Sequence, residues 1–180
     1  FARHGLELFD VKKFTIHGGS IRVYAKKVTN RSIKADHEAL QWLLELEHDL
    51  GLYDAKTYRG FARDVERLKR DLLVLLTKLR QQGKSIAAYG ASAKGNVLTN
   101  YCGIGREIIH YVVDDTPEKQ GYLTPGNHIP IVSMQRLRTE KPDYLLLLAW
   151  NFAEELMEKT EEYRKAGGKY IIPIPNVRVV

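Results

Sequence analysis

Ser85-Ile86-Ala87-Ala88-Tyr89-Gly90-Ala91-Ser92-Ala93-Lys94-Gly95-Asn96 decides the fold of this chain. The apolar run reads as a buried strand, Gly90 breaks it, and a helix running to Cys102 follows. A strand that re-enters as a helix through glycine leaves backbone N–H groups unpaired at the helix start, where the helix dipole favours an anion. Lys94 falls in that first turn and opposes the dipole, which points to an anionic neighbour such as a phosphate or pyrophosphate. The pattern is not Gly-x-Gly-x-x-Gly, because Ser92 takes the middle glycine position. Nor is it the nucleoside-triphosphate loop, because Gly95 follows Lys94 where Ser or Thr is required. The competing reading is a tight turn whose glycines serve packing alone.

Downstream of this stretch the pattern alternates. Ile108 to Asp114, Ile129 to Val132, Tyr144 to Ala149 and Lys169 to Ile174 read as strands. A helical turn at Met134 to Thr139 and a helix at Phe152 to Ala166 lie between them. Continuous apolar strands alternating with helices predict an α/β fold with a parallel sheet covered on both faces. Right-handed crossovers then give a Rossmann-like sheet of order 3-2-1-4-5 flanked by helices.

Upstream, Leu6 to Ile16 and Ser20 to Lys27 read as a β-hairpin turning at His17-Gly18-Gly19. Ile21, Val23 and Ala25 share one face of the second strand; Arg22, Tyr24 and Lys26 share the other. Two helices follow. The first spans Ala35 to Leu50 and ends at Gly51. The second, capped by Asp54 or Thr57, runs from Lys56 to Gln82 with an apolar stripe at Phe61, Val65, Leu68, Leu72, Leu75, Leu76 and Leu79. The chain is thus expected to divide into a hairpin over residues 1–28, two helices packing on the sheet over 29–83, and the Rossmann-like domain over 84–180.

In a doubly wound sheet, ligands bind beyond the carboxyl ends of the strands near the switch point. That rule gathers Gly90, Ser92, Lys94, Gly95 and Asn96 with Asp114, the loop Thr116 to His128, and Trp150-Asn151. Asp114 has the placement of an acid that holds a ribose, or of a capping aspartate at a strand end. Lys119, Gly121, Pro125, Gly126 and His128 lie in a loop longer than a simple connection needs, which suggests function or a surface excursion. Trp150 can stack on a base or pack, and Asn151 can cap the helix that follows. His17 can act as an acid or base, or belong to the turn.

The chain has 180 residues, 44% of them hydrophobic, enough for a sizeable core. A net charge of +6 leaves acidic ligands open. The basic residues are nevertheless dispersed, and those in Arg59 to Arg80 interleave with Asp64, Glu66 and Asp71, which argues against nucleic acid as a partner. The single cysteine, Cys102, excludes an internal disulfide and fits a reducing cytoplasm; it reads as a small core residue. The longest apolar run, Tyr144 to Trp150, is too short to span a membrane, and no signal peptide is visible. The histidines have no metal-ligand spacing. The opening Phe1-Ala2-Arg3-His4-Gly5 reads as a helix end inside a larger protein.

His17-Gly18-Gly19-Ser20-Ile21-Arg22-Val23-Tyr24 resembles the segment that opens the C-terminal region of sugar C-methyltransferases. These are S-adenosylmethionine-dependent enzymes that methylate carbon on nucleotide-linked keto-deoxysugars. Gly90 to Asn96 is similar to that family's loop. So are Val113-Asp114-Asp115, Lys119-Gln120-Gly121, Pro125-Gly126 and Ala149-Trp150-Asn151-Phe152 with Glu155, in matching order along nearly the whole chain.

The resemblance implies a zinc-binding N-terminal part, a middle methyltransferase domain and a C-terminal Rossmann-like domain. This chain would be the last of these plus the closing hairpin of the middle one. The zinc cysteines, the S-adenosylmethionine site and the Tyr-x-Glu-His segment linked to the catalytic base would then lie upstream, and the chain alone would be inactive. In the implied reaction a base removes a proton alpha to a keto group, and the enolate takes the methyl group. This chain's part would be to hold the nucleotide-linked sugar. Lys94 and the Ser92–Asn96 amides would meet the pyrophosphate, Asp114 or the Lys119 loop the sugar or base, and His17 and Arg22 the inter-domain cleft. Two other readings are a nicotinamide- or CoA-binding Rossmann module and a non-catalytic interaction domain using the long second helix.

Overall fold

The computed structural model describes all residues from 1 to 180 and divides into two compact units, Phe1–Ala62 and Arg63–Val180. No helix is long and apolar enough to cross a membrane.

The first unit opens with the antiparallel hairpin of β1 (Leu6–Phe14) and β2 (Ser20–Lys27), paired from Leu6↔Lys27 to Phe14↔Ser20 with a register shift between Leu8 and Asp10. The expected turn is corrected here. Strand β1 ends at Phe14 rather than Ile16, and a 3-10 turn at Ile16–Gly18 makes the connection. His17, Gly18 and Gly19 all have positive φ, a run that cannot continue an extended strand. Helix α1 (His37–Asp49) starts two residues later than its apolar pattern suggests, because Asp36 caps it by accepting the Ala39 N–H at 3.0 Å. It packs on β1, where the Lys13 ammonium sits 5.3 Å from the Trp42 ring centroid. Asp54, not Thr57, takes the start of α2 (Ala55–Gln81), accepting the Lys56 N–H at 2.7 Å.

The second unit is the Rossmann-like sheet. Its strands are β3 (Ile86–Tyr89), β4 (Val112–Val113), β5 (Ile131–Val132), β6 (Tyr144–Leu147), β7 (Lys169–Ile172) and β8 (Arg178–Val179). Their order is β5-β4-β3-β6-β7-β8, which is the expected 3-2-1-4-5 extended by one strand. The first five are parallel, with Ala88↔Val112 and Ala88↔Leu146 in register, and β8 pairs antiparallel with β7. The added strand was not legible because Arg178–Val179 is too short to show periodicity.

Strand alternation sorts the core into two layers. On one face Ile86, Ala88, Val112, Leu146 and Ile171 meet Leu72, Leu76 and Leu79 of α2 and Leu98 and Cys102 of α3 (Ala93–Cys102). On the other, Ala87, Tyr89, Val113, Leu145 and Tyr170 meet Leu137 of α4 (Met134–Glu140), Ala153 of α5 (Ala153–Lys159) and Tyr163 of α6 (Glu161–Lys165). The single helix expected over Phe152 to Ala166 is therefore two, introduced by a 3-10 turn at Trp150–Phe152. Phe152, not Asn151, stands at the cap position of α5. Thr160 makes the break. Its hydroxyl bonds the Leu156 carbonyl at 2.6 Å and meets the Tyr170 hydroxyl at 2.8 Å, while its carbonyl accepts from Tyr170 at 2.9 Å.

Candidate functional site

The site begins where β3 and β6 end side by side, from Ile86↔Tyr144 to Tyr89↔Leu147. The connection from β3 leaves toward β4 and that from β6 toward β7, so these ends form the switch point. Backbone approach is close here. A Cβ on Gly90, whose φ is +93°, would lie 2.8 Å from the Ala149 Cβ, and one on Gly95 would lie 2.6 Å from the Leu148 Cβ. Both glycines thus perform the packing that the competing reading assigned them.

Packing does not exhaust the turn. Ser92 caps α3, its hydroxyl accepting the Gly95 N–H at 3.2 Å and its carbonyl the Asn96 N–H at 2.9 Å. Upstream, the Gly90 N–H goes to the Val113 carbonyl, that of Ala91 to Asp114 Oδ2, and that of Ser92 to the Gly90 carbonyl. The amides of Ala93 and Lys94 donate to nothing in the chain, as expected of first-turn donors. Beside them the Lys94 ammonium lies 4.9 Å from the Trp150 ring centroid and 5.6 Å from that of Phe152. Burial among these groups lowers the Lys94 pKa. The ring faces offset the unfavourable position of a cation at a helix start, and they add flat surfaces to the two free amides. The sequence shows Phe152 within the Ala149-Trp150-Asn151-Phe152 motif without giving it a role of its own; the structure brings its ring to Lys94.

Asp114 and Lys119 are brought to the same turn and spend their polar groups on it. The Asp114 side chain is 9% exposed. Its Oδ2 accepts the Ala91 N–H at 2.7 Å and lies 3.3 Å from Lys119 Nζ, and its Oδ1 accepts the Thr116 N–H at 3.0 Å. Lys119 also donates to the Ala91 carbonyl at 3.1 Å, so the pair grips both sides of residue 91. Burial alone pushes the Asp114 carboxyl up. The bonds from Thr116, Lys119 and Ala91 outweigh it and hold the pKa below the usual value.

The long loop is pinned rather than loose. Gln120 donates to the Asp114 carbonyl, Asn100 donates to the Pro125 carbonyl at 3.0 Å, and Leu123 bridges Pro130. On the other face Asp115 Oδ2 accepts from both the Tyr89 hydroxyl and Lys159 at 2.7 Å.

Between the turn and the loop lies a cavity of about 40 Å³ lined by Ala91, Asn96, Thr99, Pro125, Ile129 and Leu148. It is large enough for water and far too small to enclose a sugar. A ligand at this rim would therefore lie over it. A larger cavity of about 270 Å³ opens between α4 and α6 on the opposite face. Its hydroxyls, those of Thr160 and Tyr163, are already bonded within the chain, and it offers no free buried donor. We therefore place the candidate site at the switch point.

Asn96 accepts from Asn100 through its carbonyl and side-chain oxygens. His17 and Arg22 belong to the first unit. His17 holds φ +57° in the hairpin turn, and the Arg22 guanidinium carbon lies 4.7 Å from the Phe14 ring centroid.

An adenosine cofactor held in the dinucleotide manner needs a free carboxylate at the end of the second strand for its ribose. Asp114 is taken up by Ala91, Thr116 and Lys119, so the residues here do not fit such a cofactor. No three His, Cys, Asp or Glu side chains gather to hold a metal ion. Cys102 is buried in the core, where burial pushes its thiol pKa up.

A family model described as the C-methyltransferase C-terminal domain matches residues 15–175. C-methyltransferase NovU of Streptomyces niveus is 40% identical over 183 aligned residues, which take in all of this chain and 42% of NovU. The chain thus spans well under half the length of that curated relative.

Proposed function

Because the chain belongs to the family of C-methyltransferase C-terminal domains, we propose that it is the acceptor-holding part of a longer C-methyltransferase whose acceptor is a nucleotide-linked keto-deoxysugar. The observation that carries this reading is the switch-point cluster. The free Ala93 and Lys94 amides, the Lys94 ammonium and the Trp150 and Phe152 ring faces lie together on an open rim. A pyrophosphate suits the amides and ammonium, and a sugar or base suits the aromatic faces. The methyl donor implied by the family is S-adenosylmethionine, which would be bound outside this chain and supplies an electrophilic methyl group.

In this proposal the chain's residues bind and orient. Gly90, Ser92 and Gly95 shape the turn, Lys94 meets the pyrophosphate, and Asn96 borders the small cavity beneath. Trp150 and Phe152 face the sugar or base. Asp114 and Lys119 hold residue 91 and so act through the turn. His17 and Arg22 would face the cleft toward the preceding methyltransferase domain, which residues 1–28 would close. Alone, the chain would bind acceptor and transfer no methyl group.

Calorimetric titration with a thymidine diphosphate sugar tests the reading. Replacement Lys94→Ala removes a charged hydrogen bond and is expected to weaken binding by about 1.5–3 kcal/mol. Unchanged affinity would sink the assignment, and binding of NAD in place of the sugar nucleotide would favour a dinucleotide module.

A further inference from the structure

The first unit has no core of its own. Among its 62 residues Val11 alone is buried. A unit of this size needs far more burial to hold together, so its apolar side chains call for a partner. Five of its thirteen exposed large apolar side chains fall within twelve residues at the corner between α1 and α2. Leu50 is 58% exposed, Leu52 39%, Tyr53 71%, Tyr58 54% and Phe61 67%.

This corner is built, not frayed. Gly51 turns with φ +68°, the Leu52 N–H returns to the Glu47 carbonyl at 3.0 Å, and Asp54 caps α2. The Tyr58 hydroxyl donates to the Leu52 carbonyl at 2.6 Å, fixing that ring against the corner. Aromatic groups held rigidly in solvent lose little freedom on docking, as befits an interface. Within α2 the same stripe that is buried at Leu72, Leu76 and Leu79 continues at 3.6-residue spacing through Leu68 and Val65 to Phe61 and Tyr58, where it lies bare.

We propose that the α1–α2 corner, centred on Tyr58 and Phe61, is the surface on which the rest of the same polypeptide docks. The occupant follows from length. The chain aligns in full to only 42% of its curated relative, so the part of the relative outside the alignment is longer than this whole chain. A tethered segment meets the corner at a high effective concentration and outcompetes a second copy. The inference rests on the reading of this chain as part of a longer methyltransferase.

The test uses the longer polypeptide, with Tyr58→benzoylphenylalanine and Phe61→benzoylphenylalanine as photo-crosslinking probes and Arg63→benzoylphenylalanine on the polar side as control. Both probes should crosslink within one molecule to peptides outside these 180 residues, in a yield clearly above that of the control, because only the probes lie in the proposed contact. Crosslinks between molecules would overturn the proposal in favour of self-association. Crosslinks confined to the 180 residues, or none above the control, would overturn it outright. Methyl transfer to a nucleotide-linked sugar is measured separately on the unsubstituted protein. Transfer without the crosslink sinks the docking surface alone, and the crosslink without transfer sinks the acceptor reading alone.

Discussion

Asp114→Asn is the sharpest probe of how the glycine turn is held. The carboxylate accepts on both oxygens, with Ala91 and Lys119 at Oδ2 and Thr116 at Oδ1. Asparagine keeps the shape but has one acceptor. With its oxygen toward Thr116, its amide group faces two donors; with its oxygen toward Ala91 and Lys119, it faces the Thr116 N–H. The second arrangement loses least, namely one charge-assisted bond and the charge on the others. A hydrogen bond to a charged group is worth about 1.5–3 kcal/mol, so the variant should lose roughly 2–3 kcal/mol. That corresponds to a fall in Tm of roughly 4–12 °C for a chain of this length.

Urea unfolding from neutral pH into acid adds a second, independent signature. The pKa of Asp114 is depressed in the folded state, so its contribution is full above the ordinary carboxylate pKa and is lost as pH falls through the lowered value. The gap between wild type and variant should therefore close in acid. A neutral-pH loss under about 0.5 kcal/mol, the level of an ordinary surface change, would refute the argument. So would a gap that does not change with pH.

Other positions give independent checks. Gly90→Ala forces a Cβ to 2.8 Å from Ala149 at φ +93°, which should cost about 1–3 kcal/mol in overpacking and further backbone strain, read by urea midpoint. Trp150→Ala with Phe152→Ala should raise the Lys94 pKa toward its ordinary value, because burial is what lowers it; the pH dependence of Lys94 acetylation reports this, and an unmoved profile would count against it. Asp143, held to about 2 by the Ser85 N–H and Lys84, stabilises above the ordinary carboxylate range and loses that contribution as pH falls toward 2; Asp143→Asn should remove this part of the acid sensitivity. Tyr170→Phe strips the bond to the Thr160 carbonyl and should cost about 0.5–1.5 kcal/mol in thermal unfolding, while leaving acceptor binding intact.

Local chemistry written in the sequence determined a good deal. Apolar strands alternating with helices, punctuated by Gly90, imply a parallel sheet, and the handedness of its crossovers implies the order of its first five strands. The same pattern locates the switch point, so Lys94 and Trp150, 56 positions apart, both read from the sequence as rim residues, and the fold brings the Lys94 ammonium 4.9 Å from the Trp150 ring centroid. The HGGS-to-Tyr24 segment and the loop motifs carried the family. These signals are short-range or periodic, so a single chain displays them.

The tertiary structure decided what each side chain does with its bonds. Nothing in the sequence distinguishes a ribose-holding Asp114 from one that grips Ala91, because the choice depends on Lys119 and Thr116 reaching the same carboxylate. The break at Thr160 depends on the Tyr170 hydroxyl arriving from a neighbouring strand, and the bare corner at Tyr58 and Phe61 depends on where the core stops. Periodicity says which face of a helix is apolar; only packing says how much of that face finds a neighbour.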